Sequence, residues 1–225
     1  WSYVRSTRRE AEAARTQAEF LTMVTHELKT PLAGIRLLAE LLQDGHVTDP
    51  ARHREYYDRL GSESIRLSLL IENVLDLGRL DRGERSYDLR AMNLEQLVEE
   101  VVGLFRPIAE QERMTLVVRG QAASEISGDR HALTQVLLNL LDNARKYGRP
   151  QQAIEVVGGE GEVLVIDDGP GLSGEDREQV FERFQRGESQ RDGSVPGVGL
   201  GLYLAREIVR QHGGSLEVID IQHRQ

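Results

Sequence analysis

The feature that most constrains this chain is a run of apolar residues at alternating three- and four-residue intervals. These are Leu21, Val24, Leu28, Ile35, Leu38 and Leu42, with Pro31 filling the slot between Leu28 and Ile35. Such spacing lines up one face of an α-helix and is the seam of a helical bundle. The break QDGHVTDP carries a turn and ends in Asp49 followed by Pro50, the order of an N-cap and a first helical residue. A second helix is predicted from there to about Leu80, with Leu60, Leu67, Ile71, Val74 and Leu77 at helical intervals. Two long helices joined by a short loop make an antiparallel hairpin. Leu37, Leu41, Leu69, Leu70 and Leu75 widen the apolar face beyond what one partner helix covers, which predicts that two hairpins pair into a four-helix bundle, a homodimer.

Residues 1–19 lack Gly and Pro and are rich in Arg, Glu, Ala and Gln, a charged helix that runs into the next one as a signalling segment. Ala11, Ala14, Ala18 and Leu21 form a small-residue seam that meets the Leu21, Val24, Leu28 seam with a three-three step, a break in heptad phase. The same alanines also serve simply as helix formers. With a formal net charge of -9, the chain lacks the broad basic field that nucleic-acid backbones attract, so DNA and RNA are not expected partners. The absence of cysteine removes disulfides, thiolate nucleophiles and Cys-based zinc sites. No apolar run reaches the roughly 18–20 residues that span a bilayer, so no membrane contact is expected within this segment.

After DRGER the pattern changes to helices alternating with strands: an amphipathic helix over 93–112, the strand-like MTLVV, a helix from Asp129 to Tyr147, then IEVV and the buried run VLVI at 163–166. Helical stretches at 173–184 and 200–212 follow, with SLEVI as a last strand. The expected organisation is therefore a helical segment at 1–19, a hairpin domain at 20–84 and a separate α/β or α+β domain at 85–225.

Chemistry concentrates in a few stretches. In FLTMVTHELKTPLAGI, His26 falls two positions past a seam site, on the outward face, with Lys29 and Thr30 on its side of the helix. Pro31 cannot donate to the carbonyl of Glu27 and is expected to bend the helix just beyond the histidine. An exposed imidazole, mostly neutral near pH 7, can attack phosphorus through one ring nitrogen while Glu27 holds the proton on the other. In QVLLNLLDNARKYG, Asn139, Asn143, Lys146 and Tyr147 form a polar stripe beside Leu137, Leu140 and Leu141, with amide oxygens suited to Mg²⁺ and a lysine suited to phosphate. VLVIDDGPGL delivers Asp167 and Asp168 to a turn whose Gly169 and Gly171 let a ligand approach the backbone, and a carboxylate there can accept from an amino group such as that of adenine. GVGLGLYLAREIVRQHGG puts Gly197, Gly199 and Gly201 at a helix start, where free amides favour phosphate. These glycines do not follow a strand, which excludes a dinucleotide fold. The polar RGESQRDGSVP before them reads as a mobile lid.

From Phe20 to Gly214 the sequence resembles the sensor histidine kinases of two-component signalling. HELKTP is similar to the phospho-acceptor box, NLLDNARKY to the asparagine box, DDGPG to the first glycine box, FERF at 181–184 to the phenylalanine box and GVGLGL to the second glycine box. Five motifs in this order are jointly specific. The resemblance implies a dimeric four-helix bundle carrying the histidine, followed by the ATP-binding α/β sandwich shared with gyrase-type ATPases. It further implies His26 as phospho-acceptor, Glu27 as its proton partner, Asn143 as Mg²⁺ ligand with Asn139 beside it, Lys146 on phosphate, Tyr147 on adenine and Asp167 on the adenine amino group. The glycines of both boxes, with Leu202 beside the last of them, shape the pocket and lid. Thr30 stands where phosphatase-competent members place a water. ATP and Mg²⁺ are the implied cofactors, a response-regulator receiver domain the implied partner, and the cytoplasm the implied location, as a free protein or as part of a membrane-anchored sensor.

Three positions depart from the family pattern. Val198 stands where many relatives carry Ser or Thr, Asp168 replaces the commoner Asn, and the chain ends at Gln225 soon after SLEVI, where relatives usually have a further strand. Two other readings of the same residues are an ATP-binding scaffold that transfers no phosphate and a plain ATPase on the same sandwich, which would have no use for HELKTP on an exposed helix.

Overall fold

The computed structural model describes residues 2–44, 49–120, 124–174, 176–185 and 197–220, without the side chains of residues 2–14, 16 and 17. The lid segment 186–196 and the side chains of Ala11 and Ala14 therefore lie outside the described residues.

Helix α1 (Ser2–Gln43) runs through Pro31 without interruption, and α2 (Pro50–Asp81) returns beside it. Asp49 caps α2 through its carboxylate, which accepts from the Ala51 N–H at 3.0 Å, with Pro50 at the first helical turn, as the sequence predicts. Of the predicted seam, Val24 and Pro31 are buried and Leu28, Ile35, Leu38 and Leu42 half-buried. Leu21 departs from expectation. It is exposed, as are Leu32, Leu37, Ile71 and Leu75.

The remaining chain forms a mixed lobe. Strand β1 (Arg90–Asn93) pairs antiparallel with β3 (Glu125–Gly128), a two-stranded sheet that the sequence pattern does not reveal. Strands β2 (Thr115–Gly120), β4 (Ala153–Gly158) and β5 (Val163–Ile166) form a second sheet in the order β2-β4-β5, with β2 parallel and β5 antiparallel to β4. Helices α3 (Leu94–Gln111) and α4 (Arg130–Tyr147) pack on this sheet through Leu97, Val101, Phe105, Leu141, Ile154 and Val156, and α6 (Gly201–Gln211) packs along α4. Asn93 and Asp129 cap α3 and α4 with their side chains.

Two predicted elements change. The helical stretch at 173–184 contracts to the four-residue α5 (Asp176–Gln179), followed by turns in which Phe184 takes φ 63°. SLEVI joins no sheet: residues 214–220 run without ladder bonds and are tied instead by an Arg177–Asp220 ion pair, with Leu216 packed beneath α6. A β-prone sequence becomes a strand only where a neighbouring edge accepts its hydrogen bonds.

The hairpin is seated on the lobe. Leu69 of α2 enters the lobe's main core, and Val24 and Leu77 pack with Val198, Leu200 and Leu204. Leu69 was expected to face a second hairpin, but within this chain the lobe covers it. Among the described residues no helix is long and apolar enough to cross a membrane.

Candidate active site

His26 stands on α1 with its side chain 78% exposed, on the outward face the heptad assigns it. Its Nδ1 lies 3.5 Å from Glu27 Oε1, a little longer than a good hydrogen bond. Glu27 therefore reaches the ring although the two are adjacent in sequence. One turn on, the Thr30 hydroxyl turns back toward the His26 carbonyl at 3.5 Å. Val24 and Leu28, flanking the histidine, pack in the same cluster as Val198 and Leu200. The second glycine segment and the stretch of α1 around His26 thus share one apolar cluster. Phe20 and Phe184, the latter from FERF, meet at a tilt of 54° with ring centroids 5.1 Å apart beside the same cluster.

The predicted nucleotide residues gather along α4. A Cβ placed on Gly201 would lie 2.9 Å from Asn139 Oδ1, and one on Gly197 would lie 3.3 Å from Lys146 Nζ, so the second glycine segment runs along the polar stripe. Gly197, Gly199 and Gly171 take φ 150°, 70° and 72°, and Gly199 lies so close to the backbone of Phe184 and Gln185 that a side chain has no room. On the other side, Gly169 approaches the Tyr147 carbonyl, and its N–H donates to Asp167 Oδ1 at 2.7 Å. Burial raises the Asp167 carboxyl above its ordinary value, the Gly169 N–H opposes the rise, and the Asp168 charge adds to it. Helix α6 begins at Gly201 without a side-chain cap, leaving its first amides available, and Leu202 is half-buried in its first turn. Asn143 is half-buried between Asn139 and Lys146, and no described residue hydrogen-bonds its amide.

Gln152, which the sequence reading missed, joins these parts. Its Nε2 donates to the Ala144 carbonyl at 2.6 Å, and its Oε1 accepts from the Asp168 N–H at 2.8 Å, fixing the end of β5 to the end of α4. A second missed group is Asn73 on α2. Its Nδ2 donates to Asn139 Oδ1 at 2.9 Å, and its Oδ1 accepts from Asn139 Nδ2 at 3.2 Å and from Gln135 Nε2 at 3.0 Å. Gln135 Oε1 accepts in turn from Arg85, which also pairs with Asp76 at 2.8 Å. Asn139 is buried, with both amide atoms engaged by the hairpin. No sequence signal links residues 66 positions apart. Val198, whose lost hydroxyl marks a departure from the family pattern, is likewise buried against the hairpin.

A separate groove of about 590 Å³, lined by Asp88, Arg90, Asn93, Asp129 and His131 among others, contains none of these residues.

Comparison with known proteins agrees with this geometry. The His Kinase A (phospho-acceptor) domain model matches residues 16–83, and the histidine kinase-, DNA gyrase B- and HSP90-like ATPase model matches residues 128–225. The chain belongs to the sensor histidine kinase family. It is 36% identical to sensor protein SphS of Synechococcus elongatus over 91% of its own length and 52% of that relative's. It is 30% identical to the sensor-like histidine kinase SenX3 of Mycolicibacterium smegmatis over 96% of its length and 57% of that relative's. The chain thus spans little more than half the length of these relatives. Among solved structures it resembles full-length ShkA in complex with AMPPNP, with a TM-score of 0.58 and 26% identity over 90% of this chain and 42% of that one.

The two family models fall on the two parts of the fold. The phospho-acceptor model covers α2 and the part of α1 that carries His26, and the ATPase model covers α4, both glycine segments and α6.

Proposed function

We propose that the chain is the catalytic portion of an ATP-dependent protein-histidine kinase, which phosphorylates its own His26 and passes the phosphoryl group to an aspartate of a response-regulator receiver domain. The observation that carries this reading is that an exposed His26 stands on the helix whose Val24 shares one buried cluster with Val198 and Leu200 of the second glycine segment, and whose Phe20 meets Phe184 of FERF. The acceptor and the segment read as the phosphate cradle belong to one neighbourhood.

In this reading the Nε2 lone pair of neutral His26 attacks the γ-phosphorus, the bond to the β-bridging oxygen breaks, ADP leaves with those electrons, and Glu27 takes the Nδ1 proton. Lys146 and the free amides at the start of α6 stabilise charge on the transferring group. Asp167 accepts from the adenine amino group, Tyr147 flanks the base, and Gly169, Gly171, Gly197, Gly199 and Gly201 with Leu202 shape the pocket. The unengaged Asn143 amide oxygen, half-buried next to Lys146, suits a Mg²⁺ ion, which needs only one or two protein oxygens besides water and phosphate. Bound there, the ion supplies charge neutralisation on the phosphates. Thr30 offers a hydroxyl one turn from His26 for placing the water that would hydrolyse the phosphoaspartate of the receiver domain to aspartate and inorganic phosphate, a phosphatase reaction distinct from the transfer. The AMPPNP bound to the ShkA relative supports ATP as the nucleotide here.

The exposed Leu21, Leu32, Leu37, Ile71 and Leu75 support a homodimer in which two hairpins form a four-helix bundle. The location is cytoplasmic, either free or as the inner portion of a membrane-anchored sensor, and residues 1–19 act as the signal-input helix. Incubation with Mg²⁺ and γ-labelled ATP is expected to give an acid-labile, alkali-stable label that chases onto a receiver domain. Nucleotide binding without a labelled protein would favour a scaffold, and phosphate release without a protein label a plain ATPase.

A further inference from the structure

Asp142 on α4 meets two cations at once. Its Oδ2 accepts from Lys146 Nζ at 2.7 Å, and its Oδ1 accepts from Arg145 Nε at 3.0 Å and Nη2 at 2.9 Å. The Asp142 and Arg145 side chains are 16% and 11% exposed, so salt screens these pairs weakly. Burial alone would raise the Asp142 carboxyl, yet Lys146 and Arg145 together hold it below its ordinary value, as expected of a carboxylate built to stay ionised beside cations.

The pairing has consequences at both ends. Lys146, read above as the phosphate contact, is a four-carbon chain with three rotatable donors, and without a partner its ammonium samples many positions. Asp142 ends that freedom, and the held ammonium lies against Gly197 of the second glycine segment. In the other direction, Arg145 Nη1 donates to Glu112 Oε1 at 2.8 Å, the same oxygen accepts from Arg66 Nη2 of the hairpin at 2.5 Å, and Arg66 Nη1 donates to Glu63 at 3.1 Å. Lys146, Asp142, Arg145, Glu112, Arg66 and Glu63 thus alternate in sign from the glycine segment to helix α2 and sum to zero charge. Nothing else on α4 orders the lysine: Asn139 is taken by Asn73, and Asn143 has no partner among the described residues.

We propose that Asp142 is a positioning residue that sets the Lys146 ammonium at the second glycine segment, ready for charge developing on the transferring phosphoryl group, and that Arg145 and Glu112 tie this placement to Arg66 of the histidine hairpin. The proposal rests on the reading of Lys146 as a phosphate contact. Two effects of removing the carboxylate have opposite signs. Loss of a negative charge beside the site eases the approach of a polyphosphate, which acts on the ground state. Loss of lysine placement removes stabilisation where charge develops, which acts on the transition state. The signature of Asp142 is therefore a separation of KM from kcat.

The test compares autophosphorylation by the whole chain in Asp142→Asn, Asp142→Glu, Lys146→Ala, the Asp142→Asn/Lys146→Ala pair and Arg66→Met, with ATP affinity and thermal midpoints measured on each. Asp142→Asn is expected to lower the rate at saturating ATP by about tenfold or more while KM for ATP stays within about threefold or falls. Asp142→Glu recovers part of the loss, and Arg66→Met slows the rate in the same sense but less. In the Lys146→Ala background, Asp142→Asn has no further effect on the rate at saturating ATP, because a residue that acts through the lysine has nothing left to position. Lys146→Ala with wild-type rate and affinity overturns the reading of the lysine itself. A slow Lys146→Ala beside a full-rate Asp142→Asn, or losses that multiply in the double variant, overturns the role of Asp142. So does a loss in Asp142→Asn that follows the thermal midpoint and weakens ATP binding in proportion.

Discussion

Asn73 of the hairpin and Asn139 of the lobe exchange two amide hydrogen bonds, 2.9 Å and 3.2 Å long, in a buried contact that also satisfies Gln135. Truncating Asn73 strands a buried donor and acceptor on Asn139 and a donor on Gln135. Asn73→Ala is expected to cost about 1–3 kcal/mol in urea unfolding and to raise amide exchange along α4 at this contact. Asn139→Ala should match it in stability, whereas Asn143→Ala should leave stability nearly unchanged and weaken Mg²⁺-ATP binding. Equal loss of ATP affinity in both asparagine variants would show that Asn139 serves the nucleotide rather than the docking of hairpin and lobe.

Val198 fills an apolar contact between the glycine segment and the hairpin, at a position where the family pattern has a hydroxyl residue. Restoring the hydroxyl as Val198→Thr keeps the shape but buries a polar group, at a cost of about 1–3 kcal/mol where no partner is found. Chemical denaturation should show this loss, and an unchanged midpoint would place the segment away from the hairpin in solution.

Tyr87, in the link between hairpin and lobe, lies under the Arg85 guanidinium and edge-on to His212, with its hydroxyl buried and without a partner. Burial pushes its phenol up from 10.0 to about 12, against the opposing charge of Arg85. The folded state then holds the proton more tightly than the unfolded state, so this contribution to stability is complete below the unfolded value of 10.0 and is lost as pH rises toward about 12. Tyr87→Phe should unfold at an equal or higher temperature at neutral pH and lose less stability in that alkaline window. Ultraviolet titration of the folded wild type should show one late-ionising tyrosine that the variant lacks.

The hairpin, the order of its helices, the cap at Asp49 and the alternation of α4, β4 and β5 were legible because each follows from local periodicity or a single capping residue. What periodicity cannot tell is which surface an apolar stripe will meet. Leu69 and Leu77 fit a second hairpin as well as they fit the lobe that covers them here. SLEVI has strand composition but no ladder, and RAMN and EISG form strands although four residues are too few to show an alternation. The site was legible as a set of types: an exposed imidazole, an asparagine stripe and two glycine turns. The pairing of those types was not. Asn139 and Asn143 look equivalent in the sequence, and only the arrival of Asn73 from α2 separates a fully bonded amide from an unengaged one.

The central claim is that the exposed imidazole of His26 accepts the γ-phosphoryl group. Its most direct test is peptide mapping, at neutral to alkaline pH, of the chain after incubation with Mg²⁺ and ATP, beside a His26→Gln variant that still binds ATP. The account predicts one phosphorylated residue, His26, and no acid-labile phosphate in the variant. Phosphate on another residue, or an undiminished acid-labile signal without His26, would contradict it.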